Sequence, residues 1–177
     1  MGMQPVDQHF IVMMIPHHDG AIAMAELALS RAKRPEIRAL AQRIKSSQTA
    51  ENNQMRRWYR QWFGVDVPTG PGGGHGPGMG PGIGPGMGMG QGMGRGGGML
   101  GMDTSLEALK TAPDFDRAFI AQMIPHHRMG VMMASHAQWN TLHPELKELE
   151  AAMVRVQTQE IEQMAFWYRQ WYGSSGH

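Results

Sequence analysis

The chain has no cysteine. That single absence removes disulfides, zinc–thiolate sites and thiol nucleophiles together. An excess of either charge is also missing: 16 Lys and Arg stand against 15 Asp and Glu, for a formal net charge of +1. No electrostatic footprint for nucleic acid or an anionic membrane follows from that balance. No apolar run approaches the roughly 20 residues that a bilayer span requires. No signal-peptide pattern opens the sequence, so an exported form of this protein would be a processed one. Enzyme motifs are missing as well. There is no Glu-x-x-His of the di-iron bundle type, no His-Glu-x-x-His, no phosphate-binding loop and no Gly-x-Ser-x-Gly. The expectation is a protein that is not an enzyme.

What the chain has in quantity is methionine, 18 residues, and glycine, 24 residues. Both are unevenly placed. The run Met14-Ile15-Pro16-His17-His18 recurs as Met123-Ile124-Pro125-His126-His127. Shifting the sequence by 109 positions aligns residues 7–64 with 116–173 without a gap, and about 25 of the 58 pairs are identical. Three segments result: a first repeat at 1–64, a Gly/Pro/Met-rich linker at 65–103 and a second repeat at 104–177. The linker composition cannot bury a core. It carries Met79, Met87, Met89, Met93, Met99 and Met102, which are weak soft-metal donors or part of a plain spacer. Residues 104–111 have the pattern of a short helix.

Each repeat holds two stretches of helical periodicity, divided near Pro35 or Pro144, where proline suits a first helical turn. Phe10, Met14, His17, Ala21, Met24 and Ala28 step by four and three along one seam, and Ile11, Ile15, His18, Ile22, Ala25 and Leu29 along the next. Two such helices per repeat need a partner pair, so the fold class is all-α: one antiparallel four-helix bundle from two tandem hairpins. The spacing predicts long helices over 5–33, 35–63, 113–141 and 144–172, with Pro16 and Pro125 inside the first helix of each repeat. Counting outward from the hairpin turn puts Phe10 level with Trp58, Met14 with Met55, His17 with Glu51 and Ala21 with Gln48. In the second repeat Met123 lies level with Met164, His126 with Glu160 and Met133 with Met153. Arg60 and Arg169 come out near Asp7 and Asp116.

Thioether and imidazole donors side by side select Cu(I), or Ag(I) as its mimic, over hard cations. The candidate metal residues are therefore Met14, His17, His18, Met24, Glu51 and Met55 in the first repeat. In the second they are Met123, His126, His127, Met133, Glu160 and Met164. His17 and His126 are the expected inward ligands, with Glu51 and Glu160 holding the imidazoles in one tautomer. Met24 and Met133 are expected one or two turns along the same seam. His18 and His127 are either packing residues or separate ligands, and His9, His136, His143 and His177 are expected at the surface. A neutral imidazole ligand should lose affinity below about pH 6. The plainer account of the same residues is a pair of buried His–Glu contacts that fix bundle register, with methionine as core filler.

Met-Ile-Pro-His-His, then Met24-Ala25, then a proline, then Gln48-x-x-Glu51-x-x-x-Met55-x-x-Trp58 resembles the domain-of-unknown-function 305 family. The resemblance covers both repeats. It implies a ferritin-like fold of two-helix units and a periplasmic or otherwise extracytoplasmic location. It further implies a role like that of its exported, Met- and His-rich copper-binding members in copper resistance. Asp19-Gly20-Ala21 keeps to the family pattern after His-His, whereas Arg128-Met129-Gly130 departs from it. The expected ligand is copper, Cu(I) favoured, with Cu(II) and Ag(I) as further ions. The expected partners are the metal ion and a copper-accepting or copper-donating protein. Two alternatives stand beside this: a ferritin-like metal-dependent oxidase, and a metal-free helical module whose Met-rich surface docks a partner.

Overall fold

The computed structural model describes residues 5–69 and 106–173. Within them α1 spans Val6–Arg31, α2 Pro35–Phe63, α3 Leu106–Thr111, α4 Phe115–Ala137 and α5 Pro144–Tyr172. The expected long helices are all present. The second helix of each hairpin has the expected ends, and the short helix before the second repeat is α3. The third long helix stops at Ala137 rather than 141, where the backbone turns and the Ala137 carbonyl accepts from the amides of Asn140 and Thr141. Most of the linker, with its six methionines, lies outside the described residues.

Pro35 and Pro144 occupy the first turn of α2 and α5, where the missing N–H costs nothing. Gly64 closes α2 in a left-handed conformation, φ 72°, which only glycine adopts without strain. α1 and α4 run unbroken through Pro16 and Pro125.

α1 packs on α2, α4 on α5, and α1 on α4, while α3 sits against α1 and α4. The Arg31 guanidinium donates to the carbonyls of Leu109, Lys110 and Ala112 and so holds α3 to the end of α1. α2 and α5 stand further apart and leave a cleft of about 750 Å³ between them, lined by Ser46, Ser47, Val156, Gln159 and Glu160 and bridged by Arg43, which donates to Gln163. The core forms two apolar clusters, one toward each end. One gathers Met24, Ile37, Leu40, Ile44, Phe119, Ile120, Met123, Met164 and Trp167. The other gathers Phe10, Ile11, Met14, Ile15, Met55, Tyr59, Leu146 and Met153, with Met133 against it.

The two hairpins are related by an approximate two-fold axis, and the polar contacts repeat across it. Asp7 accepts from the amides of Leu142 and His143 at the start of α5. Asp116 accepts from the amides of Lys33 and Arg34 at the start of α2. These four donors are the 109-residue equivalents of one another. Asp7 and Asp116 therefore do not pair with Arg60 and Arg169 as expected, because each caps the other hairpin's second helix; Arg60 pairs with Asp66. His143 is not a free surface residue either. Its Nδ1 lies 2.6 Å from Asp7 and its ring stacks on Trp62 at 3.6 Å. At the equivalent place Arg34 lies over Trp171 at 4.0 Å, so a cation-capable side chain covers an indole at both ends.

The symmetry breaks at Glu150, which replaces the first repeat's Ala41. Glu150 is fully buried, with Thr141 Oγ1 2.7 and 2.8 Å from its two oxygens. Burial, reinforced by the charge of Asp7, raises its pKa to about 7. A carboxyl raised in this way costs nothing while protonated, below about 4.5, and destabilises the fold as pH rises through about 7. Glu150→Gln is therefore expected to leave stability nearly unchanged at pH 5 and to raise it at pH 8 by roughly 1–3 kcal/mol. Urea unfolding at the two pH values checks this; a loss at pH 8 would mean that the carboxylate form is stabilising.

Candidate metal centre

The Met-Ile-Pro-His-His runs of α1 and α4 cross at the two-fold axis. Adjacent residues sit about 100° apart round a helix, so the two histidines of each run face different neighbours. His17 turns toward α4, and its ring stacks on that of His126 with centroids 3.8 Å apart. His18 turns toward α2 and places Nε2 2.6 Å from Glu51 Oε2. In the second repeat His127 Nε2 is 2.6 Å from Glu160 Oε2. The expected pairing of His17 with Glu51 and His126 with Glu160 is thus replaced by pairing of their neighbours. Levels along the hairpin were read correctly, but the rotation of α1 and α4 about their own axes is set by the second hairpin. His17, His18, His126 and His127 are all buried.

The ring nitrogens carry the chemistry. His17 Nε2 lies 3.0 Å from the His126 carbonyl. A carbonyl only accepts, so Nε2 bears the proton and Nδ1 is a bare lone pair. The carboxylates of Glu51 and Glu160 fix His18 and His127 in the same tautomer. The Nδ1 atoms of all four histidines are buried and have no hydrogen-bond partner. So are Gln48 Oε1, Gln157 Oε1 and Asn52 Oδ1, even though Asn52 donates from Nδ2 to Asp19. These seven atoms are all acceptors. Buried acceptors without a donor are costly, and what such a set lacks is a cation or a proton donor.

Protons are poor candidates for the inner pair. Burial first, and then the charge of neighbouring histidines, lowers the pKa of His17 to about 4 and that of His126 to about 3. Both shifts are downward from about 6.5, so between those values the unfolded chain takes up protons that the folded chain refuses. Their contribution to stability is complete above about 6.5. It is lost as pH falls toward about 4 for His17 and about 3 for His126. The same burial moves the expected loss of metal affinity at the inner pair to lower pH than about 6, the ordinary imidazole range.

The methionines flank this layer. Met14 lies one turn before His17 on α1 and is fully buried with Met55 in one apolar cluster. Met123 and Met164 are fully buried in the other. Met24 lies two turns beyond His17 on the same buried seam of α1 and joins Met123 and Met164. Met133 likewise packs with Met14, Met55 and Met153. Each methionine cluster is therefore built from both repeats. Among the described residues no three His, Asp or Glu side chains converge on one point, so thioethers and amides have to supply further donors to any site here.

Residues that the sequence reading left out of the site are Gln48, Gln157, Asn52 and Gly130. The signal for the first two was their identity across the repeat, one turn before Glu51 and Glu160. A Cβ on Gly130 would lie 2.6 Å from Gln157 Oε1 and 3.0 Å from His17 Cε1. The glycine thus lets Gln157 and His17 close on the same spot. It is the departure from the family pattern noted in the sequence.

Among solved structures the chain is similar to CopM. The Cu(II)-bound form is 44% identical, covers 96% of this chain and 100% of its own, and superposes with a TM-score of 0.76. The Cu(I)-bound form is 42% identical with the same coverage and a TM-score of 0.76. A putative secreted protein DUF305 from Streptomyces coelicolor is 25% identical, covers 98% of each chain and has a TM-score of 0.75. No curated protein matches the chain. The family model described as domain of unknown function (DUF305) matches residues 7–168. With the helical pairs, the repeated His-His runs and that match in hand, the chain belongs to the DUF305 family.

Proposed function

We propose that the protein binds copper, with Cu(I) favoured and Ag(I) and Cu(II) as further ions, and sequesters it or hands it on outside the cytoplasm. One observation carries the reading: four buried imidazoles, each with Nε2 tied to an oxygen acceptor and Nδ1 bare. Metal-ligating histidines are typically held in this way by a carbonyl or carboxylate behind the ring. The surrounding thioethers select a soft ion. The Cu(I), Cu(II) and Ag-bound forms of CopM support the choice of metal. The similar putative secreted protein supports the location. No helix among the described residues is long and apolar enough to cross a membrane.

The ligands proposed for Cu(I) are His17 with Met14 and Met55, and His126 with Met123 and Met164. Glu51 and Glu160 act behind the outer histidines, His18 and His127, rather than behind the inner ones. The protein acts as a carrier and not as a catalyst. A protein that donates or accepts copper is its partner. The test is a Cu(I) competition titration with element analysis of the purified protein. At least one equivalent bound more tightly than by a solvent-exposed methionine peptide is expected. Bound iron with oxygen consumption, or identical melting temperatures with and without Cu(I), would overturn the reading in favour of an oxidase or of a metal-free interaction module.

A further inference from the structure

The outer face of α4 carries three metal-capable side chains that the buried layer does not use. Met129, Met132 and His136 follow one another at three and four residues. They therefore lie on one helical face, with successive Cβ atoms about 5–6 Å apart. Met132 is 58% exposed, His136 is exposed and Met129 is half-buried. Neither Met129 nor Met132 packs into either apolar cluster. Among the described residues no hydrogen bond or ion pair holds His136. Methionine is ordinarily a core filler; at Met132 it presents an oxidisable thioether to solvent. The first repeat has Gly20, Ala23 and Leu27 at the equivalent places, with Leu27 packed against the core. The hairpin fold thus forms without these three donors, and their presence in the second repeat calls for another reason.

We infer that Met129, Met132 and His136 form a second, exposed Cu(I) site on α4, through which the ion enters and leaves the protein. This extends the copper-binding reading and rests on it. Two thioethers and an imidazole suit a soft monovalent ion. One helix supplies all three donors, so the site needs no contribution from a neighbouring element. Met132 and His136 chelate from adjacent turns, and Met129 adds a thioether from the turn before. The buried imidazoles are each tied at Nε2 to an oxygen, whereas nothing fixes the ring of His136. The exposed site is therefore the weaker of the two and the faster to exchange. A step inward lies on the same helix. Met133 follows Met132 in sequence and stands one turn from both Met129 and His136. It packs with Met14, Met55 and Met153 in the buried cluster. An ion held at the surface can thus be passed to the interior from one thioether to the next.

The experiment uses the full chain and a triple variant, Met129→Leu with Met132→Leu and His136→Gln, which keeps the size of each side chain and removes the donors. Both are titrated with Cu(I) under reductant, and the rate of Cu(I) transfer from a chromophoric chelate is followed by stopped flow. The variant is expected to bind one equivalent fewer and to load its tight site about tenfold more slowly or worse. Its tight-site affinity should stay within about twofold of wild type. Methyl-labelled methionine gives a second readout on the unmodified chain, independent of how the variant folds. The Met129 and Met132 methyl resonances are expected to shift as Cu(I) is added beyond what the tight sites hold. Full capacity or a wild-type loading rate in the triple variant overturns the inference. A wild-type chain that holds Cu(I) tightly while those two methyls stay unmoved at saturation overturns this inference alone. One that takes up no Cu(I) overturns the copper reading itself.

Discussion

Replacing His17 and His126 together by alanine is expected to lower Cu(I) affinity by on the order of 100-fold or more, because both buried imidazole donors are lost from sites where nothing else replaces them. The wild-type protein should hold its affinity level from pH 7.5 to about 5, since His17 and His126 take up protons only near pH 4 and 3. The same double variant should also be easier to keep folded in acid. The wild-type chain loses stability as pH falls from about 6.5, while the variant lacks the two inner imidazoles that the unfolded chain protonates in competition. Competition titrations at pH 7.5, 6 and 5, paired with urea unfolding at each pH, read both effects. Wild-type affinity in the double variant would place copper elsewhere, on the methionines of residues 65–103. A wild-type affinity that drops already at pH 6 would mean that the inner histidines are open to water.

The second large effect concerns the ends of the bundle. Asp7→Ala is expected to cost roughly 3 kcal/mol, and Asp116→Ala a similar amount. Each carboxylate accepts from two backbone amides at a helix start that has no other side-chain cap. The two sites lie at opposite ends and share no partner, so the double variant should lose close to the sum. Asn in place of Asp keeps one acceptor oxygen and should cost less. Chemical denaturation of the four proteins at pH 7 decides the matter. A change below about 0.5 kcal/mol for either alanine variant would show that water replaces the carboxylate at no penalty.

Much of this architecture was legible in the residues. The 109-residue offset and the four-three spacing specify two like hairpins, each too apolar along one stripe to stand alone. Pro35 and Pro144 mark the helix starts, and counting from the turn brings Met14 to Met55 and Met123 to Met164. What could not be read was rotation. Both seams of α1 are buried, one against α2 and the other against α4, so the apolar pattern does not say which of His17 and His18 looks toward which neighbour. The same gap hid the role of Asp7 and Asp116. Their partners are backbone amides of the other hairpin, and a backbone amide leaves no trace in side-chain pattern. Met24 and Met133 lie where their spacing predicts along α1 and α4, but the clusters they join include methionines of the other repeat, which seam spacing within one hairpin does not reveal. The asymmetric features, Glu150 and Gly130, stand out only when the two repeats are compared position by position.

The two-fold relation also bears on how such a site can be kept. A hairpin that paired with an identical copy would offer the same four imidazoles, but only while two molecules stayed together, and dilution would dismantle the site. With both hairpins on one chain, each meets the other at an effective concentration set by the tether rather than by the solution. The pairing surface is then insensitive to expression level. Covalent union also ends the obligation to be identical: a substitution in one half no longer appears in both. Glycine at 130 against alanine at 21, and glutamate at 150 against alanine at 41, are differences that a homodimer of hairpins could not have carried.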